Sequence, residues 1–431
     1  MTNAAEGATS PARAGRVIGG AGIASVGVAS LVAAASGYLV LIVVARRLSP
    51  AANADFLVYW SLLFGAFAVL GGLQQEATRS VGAAGLSAET GDRRGARVLP
   101  WSLLIGAGFA LLAALTAPWW QPALLAGQPP AVVAVLCVAA VAFTGHMTLV
   151  GILAGQRRWS TSALLTGGES ALRLVVVGVA AFLGASLAGF EVAVAVSTVF
   201  WLAVLVVSRP ARAALPARSV DAPRRMTSRA LQAMLAALGS GALVVGFPSL
   251  LRLSSDSAQW ASAAPLVLAI SLTRAPLLMP LNAYQGVAIS YFLDPRRKRA
   301  AALVRVVGAI VGVGIVGAAL AAVVGPWLMA AFFGPTYRVS GLLLGALTLA
   351  AVALAVLTMT GAAVLALGRH RAYAAGWLVA TAVSLAVLFT GLPLAQRAVV
   401  SLVAGPVVGV ALHAWAVLTS GSAISIPGRR A

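Results

Sequence analysis

SRPARAALPARSVDAPRRMTSR, residues 208–229, carries six of the thirty cationic residues of this chain and falls almost at the middle of its 431 residues. It is also the longest hydrophilic interruption in a sequence that is otherwise a succession of apolar runs. Six such runs precede it, at 17–44, 56–73, 98–117, 131–154, 161–184 and 190–207. Six follow it, at 230–251, 260–286, 303–329, 340–366, 372–394 and 398–419. Each approaches or exceeds the ~20 residues a helix needs to cross a hydrocarbon layer. The expected architecture is an all-α integral membrane protein of about 12 transmembrane helices. Its parts are a tail at 1–16, an N-terminal six-helix lobe at 17–207, the basic linker at 208–229, a C-terminal six-helix lobe at 230–419 and a tail at 420–431.

Composition leaves no other class. With 61% hydrophobic and 9% charged residues, and a mean hydropathy of +0.97, there is too little polar surface to coat a soluble globule. The net charge of +20 sits in short loops beside apolar runs rather than in a separate basic domain. Anionic lipid headgroups, not nucleic acid, are therefore the expected counterpart.

The distribution of these charges gives the bundle a direction. Twenty-three of the thirty lie in every second gap. They are Arg13 and Arg16; Arg79, Arg93, Arg94 and Arg97; Arg157 and Arg158; the six of the linker; the five from Arg296 to Arg305; Arg369 and Arg371; and Arg429 and Arg430. The intervening gaps hold only Arg46, Arg47, Arg252, Arg338 and Arg397. Short loops rich in Lys and Arg stay cytoplasmic, so both termini are expected there, in a multi-pass protein of the cell membrane. The first apolar run, Val17 to Ala45, exceeds the core of a signal peptide and reads as a retained span.

The two halves show internal similarity. LAGQRR (153–158) returns as LALGRHR (365–371), each between the fourth and fifth span of its half. Gly155 pairs with Gly368 and Arg158 with Arg371, both at a separation of 213 residues. An even number of crossings per half makes the repeats parallel, related by a pseudo-twofold axis along the membrane normal.

Within the spans, polar and helix-breaking residues mark candidate sites. Gly246 and Pro248 on the seventh span, and Pro276 and Pro280 on the eighth, are candidate hinges, because each proline removes a donor and frees the carbonyl four residues earlier. Arg274 lies fourteen residues beyond Trp260, about 21 Å along a helix, and is followed by Asn282 and Gln285. A mid-span arginine must face protein or water. It either ties down the freed carbonyls or contributes to a cavity. Glu169 and Arg173, four apart on the fifth span, suit an intrahelical pair. Alternatively, Arg173 meets an anionic ligand and Glu169 accepts a proton when the ligand leaves. Arg79 clusters with Gln74, Gln75 and Glu76 near the basic end of the second span. His146 and His413 read as polar packing residues. Candidate substrate-binding residues are thus Arg173, Arg274, Glu169, Asn282, Gln285 and Arg79.

Enzymatic chemistry is poorly provided for. Three histidines, one cysteine (Cys137) and ten acids leave few constellations for acid–base or metal catalysis. No disulfide can form within the chain, no metal or cofactor is expected, and Lys298, the sole lysine, does not follow a phosphate-loop glycine. Asp55, Glu191 and Asp256 are the only acids expected near the sparse face.

Three segments resemble a known family. ARRLSPAANADF (45–56), FFGPTYRVSG (332–341) and GRHR (368–371) are similar to turns that polysaccharide flippases carry at these places. The family is the polysaccharide biosynthesis, O-antigen-flippase-like branch of the multidrug/oligosaccharidyl-lipid/polysaccharide exporter (MOP) superfamily. The resemblance implies two six-helix lobes around a cationic cavity, and movement of polyprenyl-diphosphate-linked glycans from the inner to the outer leaflet by alternating access. It also implies working partners among glycan polymerases or glycosyltransferases. A cation-coupled multidrug exporter of the same superfamily, a membrane glycosyltransferase or ligase of envelope assembly, and a non-transporting scaffold are the competing expectations.

Overall fold

The structure is a computed structural model that describes residues 20–87, 95–274, 277–278 and 299–419. Both tails, Pro276, Pro280, Asn282, Gln285 and the basic residues Arg296, Arg297 and Lys298 lie outside the described residues. Its helices are α1 (Gly20–Arg47), α2 (Pro50–Ser87), α3 (Val98–Leu124), α4 (Ala131–Gly155), α5 (Trp159–Phe182), α6 (Leu187–Val196) and α7 (Phe200–Val207). They continue as α8 (Arg209–Ala214), α9 (Pro223–Val244), α10 (Phe247–Leu253) and α11 (Ser257–Ala261). A short apolar helix, α12 (Ala264–Arg274), is followed by α13 (Arg299–Phe333), α14 (Gly341–Ala366), α15 (His370–Leu388) and α16 (Leu394–Leu418). Among the described residues ten helices, counting α6 and α7 as one, are long and apolar enough to cross a membrane, and the bent pair α9 and α10 makes an eleventh.

Local chemistry sets the ends of these helices. Pro50, Pro210 and Pro223 stand in first turns, where a missing N–H costs nothing, and Pro248 stands in the first turn of α10. Ser208, Asp256 and Ser340 cap α8, α11 and α14 by accepting from the amides of Ala211, Gln259 and Leu343. With 38 residues, α2 is about 57 Å long, so its basic end, with Gln75 and Arg79, projects beyond any hydrocarbon core.

The two halves pack alike. First and fifth spans pair as α1 with α5 and α9 with α15; third and fourth as α3 with α4 and α13 with α14; fifth and sixth as α5 with α6 and α15 with α16. The quoted sequence repeat is a backbone repeat too, but in a different register. Arg157 (φ 60) and Gly368 (φ 70) both take the left-handed conformation. The next residues, Arg158 and Arg369, have nearly identical dihedrals, −87, 61 and −89, 60. Their amides bond to Leu153 O and Val364 O respectively. Arg158 therefore matches Arg369, at 211 residues, and not Arg371. The side chains agree: Arg158 donates to Pro210 O at 2.6 Å and Arg369 to Ala416 O at 2.5 Å. Each ties the fourth-to-fifth turn of its half to the end or exit of that half's last span.

The lobes meet along α2 and α9. A Cβ on Gly72 would come within 2.6 Å of Met234 N, so only glycine permits this approach. Further along the seam, the Ser61 hydroxyl donates to Val245 O at 3.0 Å and lies 3.0 Å from that of Ser249. At the sparse end Trp260 Nε1 donates to Asp55 at 3.1 Å. There, too, Arg46 Nε on α1 donates to Phe332 O at 2.7 Å, with a second bond from Nη2 to Ala331 O, both on the last turn of α13. At the basic end the linker is packed rather than free. Ala217, Ser219 and Asp221 pair with Ala96 and Val98 through backbone bonds, and Asp221 forms ion pairs with Arg79 of α2 and Arg229 of α9.

Candidate functional site

Three features of the bundle bring charged groups or open space together. The first is inside the N-terminal lobe. Spacing of four puts Glu169 and Arg173 on one face of α5, and both are buried, 3% and 5% exposed. Arg173 Nη2 donates to Glu169 Oε2, and the Ser197 hydroxyl, in the tight turn joining α6 to α7, lies 2.7 Å from Glu169 Oε1. The guanidinium stands over Phe64 at 4.8 Å and Trp60 at 5.9 Å, attracted to the negative ring faces. A run of rings extends from there through Phe67, stacked on Phe143 at 3.6 Å, to His146. Nδ1 of His146 has no partner among the described residues. The pair is neutral overall, yet its planar donor fork suits phosphate or carboxylate oxygens.

The second is the break of the seventh span. α9 and α10 meet at 70° with Gly246 between them. Pro248 cannot donate to Val244 O, and the neighbouring carbonyls are left open in turn. Arg274 satisfies them, Nη1 donating to Leu243 O at 2.8 Å and to Val244 O at 3.3 Å. Ser61, from the other lobe, takes Val245 O. Arg274 is 5% exposed, its guanidinium lies 4.9 Å over Phe247, and its Nη2 has no partner among the described residues. One cation thus satisfies two carbonyls at the bend.

The third is an apolar cleft of about 720 Å³ between the lobes. Tyr38 and Ile42 of α1 form one wall, Leu272 and Thr273 of α12 and the α13 and α14 side chains the others. Leu320, Val324 and Phe332 of α13 line it and are also among the exposed apolar side chains, so it opens toward the lipid-facing surface. Phe332, whose carbonyl accepts from Arg46, is among the side chains that line it.

The remaining site residues read from the sequence sit elsewhere. Arg79 is at the basic end of α2, bidentate to Glu76 at 2.8 and 2.6 Å and paired with Asp221, and it holds the linker. Arg173 and Arg274 lie in different lobes, each with its own partners, and no contact joins them among the described residues. His413 is a packing residue, 3.1 Å from Thr360 Oγ1 and 3.2 Å from Tyr373 O. Charge counting did not show the burial of two cations. Arg252 and Arg397, assigned to the sparse face, are 8% and 6% exposed. Arg397 donates to Gln259 at 2.6 Å, and Arg252 stacks 5.5 Å over Trp260. Glu191, also at that end, is 2% exposed, and neither carboxylate oxygen has a partner among the described residues. Nothing in a single sequence marks such burial. Among the described residues, no three His, Cys, Asp or Glu side chains gather as metal ligands would.

No family model matches the chain. Uncharacterized protein Rv3630 of Mycobacterium tuberculosis (strain ATCC 25618 / H37Rv) is 39% identical over 399 residues, 93% of this chain and 92% of its own length. Uncharacterized protein Rv1510 of the same strain is 39% identical over 393 residues, 91% and 90% of the two chains. The chain belongs to the family of these mycobacterial proteins. Among solved structures, a multidrug resistance MATE family transporter of the MOP superfamily in its inward-facing conformation aligns with a TM-score of 0.67 at 16% identity, over 90% of this chain and 96% of that one. An outward-facing conformation of such a transporter aligns at 0.65 and 16%, over 92% and 95%. A MOP superfamily transporter from Pyrococcus furiosus, described as having a binding pocket of reverse polarity, aligns at 0.65 and 15%, over 92% and 96%. The fold is therefore the two-lobed, roughly twelve-helix fold of that superfamily.

Proposed function

We propose that this member of the Rv3630 and Rv1510 family is an exporter that moves a lipid-linked anionic precursor, a polyprenyl-diphosphate-linked glycan, from the inner to the outer leaflet of the cell membrane. The observation that carries this reading is the apolar cleft between α1 of one lobe and α12, α13 and α14 of the other. A water-soluble substrate needs no groove open to hydrocarbon, whereas an isoprenoid chain must stay in one while its headgroup crosses. Arg173 and Arg274 supply guanidinium donors of the geometry a diphosphate requires. The fold supports alternating access, since it accommodates MATE transporters in inward- and outward-facing conformations. With the basic end in the cytoplasm, a membrane potential negative inside favours outward passage of each negative charge by ~2.3 kcal/mol per 100 mV. The substrate would come from glycosyltransferases on the inner face and pass to polymerases or transferases outside. The transport reading assigns no enzymatic step to the chain.

A specific observation favours a second reading, cation-coupled multidrug export. The cleft would also accept an apolar drug, and Glu191 is a buried acid, 2% exposed, the kind of ionisable group within a span that serves cation coupling. Deletion of the gene followed by mass spectrometry of lipid-linked intermediates separates the two. Accumulation of one polyprenyl-linked glycan, relieved by the wild-type gene and not by Arg173→Gln/Arg274→Gln, supports the first. An unchanged lipid pool with loss of drug tolerance in Glu191→Gln cells would establish the second.

A further inference from the structure

At the basic end of the N-terminal lobe, away from the cleft and the buried pair, a pocket of about 590 Å³ is lined by Gly22, Arg157, Arg158, Trp159, Ser160, Thr161 and Arg209, with Pro210 and Ala213. Three of these side chains are guanidiniums and none is a carboxylate. The pocket also contains the start of α5, whose capping position is Arg158, which accepts no side-chain cap bond, and whose first turn has no acid. The first amides of this 24-residue helix and the Ser160 and Thr161 hydroxyls therefore add donors to the arginines, the combination that binds phosphate oxygens. The turn is fixed by its own bonds. Arg157 adopts φ 60, a conformation its pseudo-symmetric counterpart takes with a glycine, Gly368, and Arg158 is tied to Pro210 O.

The flanks of the pocket are lipid-facing. One helical turn further into the bundle from Gly22 and Ser160 stand Val26 and Leu164, 40% and 50% exposed, and beside Arg209 stands Val207, 77% exposed. Trp159, at the pocket, has the amphipathic ring that prefers the headgroup level. We infer that this pocket is a binding site for the phosphate of an anionic phospholipid, whose acyl chains lie on the apolar surface of α1 and α5. The adjoining apolar flanks select a lipid-borne phosphate over a free one. The site is distinct from the proposed export path and stands whether or not that reading holds.

The test is native mass spectrometry of the full-length protein released from nanodiscs of mixed phosphatidylglycerol and phosphatidylcholine. The wild type should retain phosphatidylglycerol in clear preference. Arg209→Gln should weaken retention about five-fold, the worth of one surface cation. Ser160→Glu places a carboxylate in the first turn of α5, where it favours the helix, and so should abolish the preference without loss of folded protein. Equal retention of the two lipids by the wild type, or an undiminished preference in Ser160→Glu, would overturn the site. Displacement of the lipid by glycerol 1-phosphate at equal concentration would overturn the lipid assignment.

Discussion

The Glu169–Arg173 pair shows what a buried charge asks of its surroundings. Each ion has left water at a cost of several kcal/mol, offset by its partner, by the Ser197 hydroxyl and by the faces of Phe64 and Trp60. Removing one member should therefore hurt far more than removing both. Glu169→Gln alone is expected to destabilise the protein by ~3–5 kcal/mol, because Arg173 stays charged without a counterion, whereas Glu169→Gln/Arg173→Met should recover most of that loss. Chemical unfolding of the purified protein in detergent measures it, and additive costs would show that the two side chains do not stabilise each other. The pair was legible in the sequence because a spacing of four places two residues on one helix face. Ser197, Trp60 and Phe64 were not, since they come from the turn after α6 and from α2 and reach the pair only in the folded bundle. Arg252 and Arg397 illustrate the same limit. Counting charges per loop assigns a residue to a side of the bundle, but whether Gln259 or a Trp260 ring covers it depends on tertiary contacts.

Apolar length made the helices legible, because hydrocarbon admits few backbone solutions. The spans read at 98–117, 131–154, 161–184 and 340–366 correspond to α3, α4, α5 and α14. The seventh is different: its apolar run is continuous, and only Gly246 and Pro248 announce the break. Where the chain bends is set by whether other groups satisfy the freed carbonyls, as Arg274 and Ser61 do for residues 243–245. Pro248→Ala restores the missing amide, which then competes with Arg274 for Val244 O. Spin labels at Leu235 and Leu253 should move apart toward the ~27 Å of a straight helix of that length. An unchanged distance would place the cause of the bend in the packing of α10 on α2 instead. The two-residue error in the internal repeat has a comparable origin. Gly and Arg recur at several offsets in LAGQRR and LALGRHR, and only the left-handed residue and the amide bonds to Leu153 O and Val364 O select the true register.

Taken whole, the molecule is two pseudo-equivalent bundles joined along one long seam, α2 against α9, and latched at the sparse end by Arg46 on the last carbonyls of α13. A helix C-terminus attracts a cation, and two charge-assisted bonds from an exposed arginine are together worth ~1 kcal/mol, about a five-fold bias between closed and open states at that end. Under the proposed alternating access, lobes pivoting on the α2–α9 seam would open at one end only by closing at the other. Cys137→Ser removes the single native thiol, so paired cysteines can carry labels on exposed sites. Leu183 and Leu342 are 74% and 86% exposed at the sparse end, and Leu164 and Val304 are 50% and 71% exposed toward the basic end. In Arg46→Ala, electron paramagnetic resonance should show the Leu183–Leu342 distribution gaining a longer component, while the Leu164–Val304 distribution gains a shorter one in the same proportion. If the first pair lengthens and the second stays fixed, Arg46 secures only a local loop, and the rocking of whole lobes that the proposed export requires is not what this latch controls.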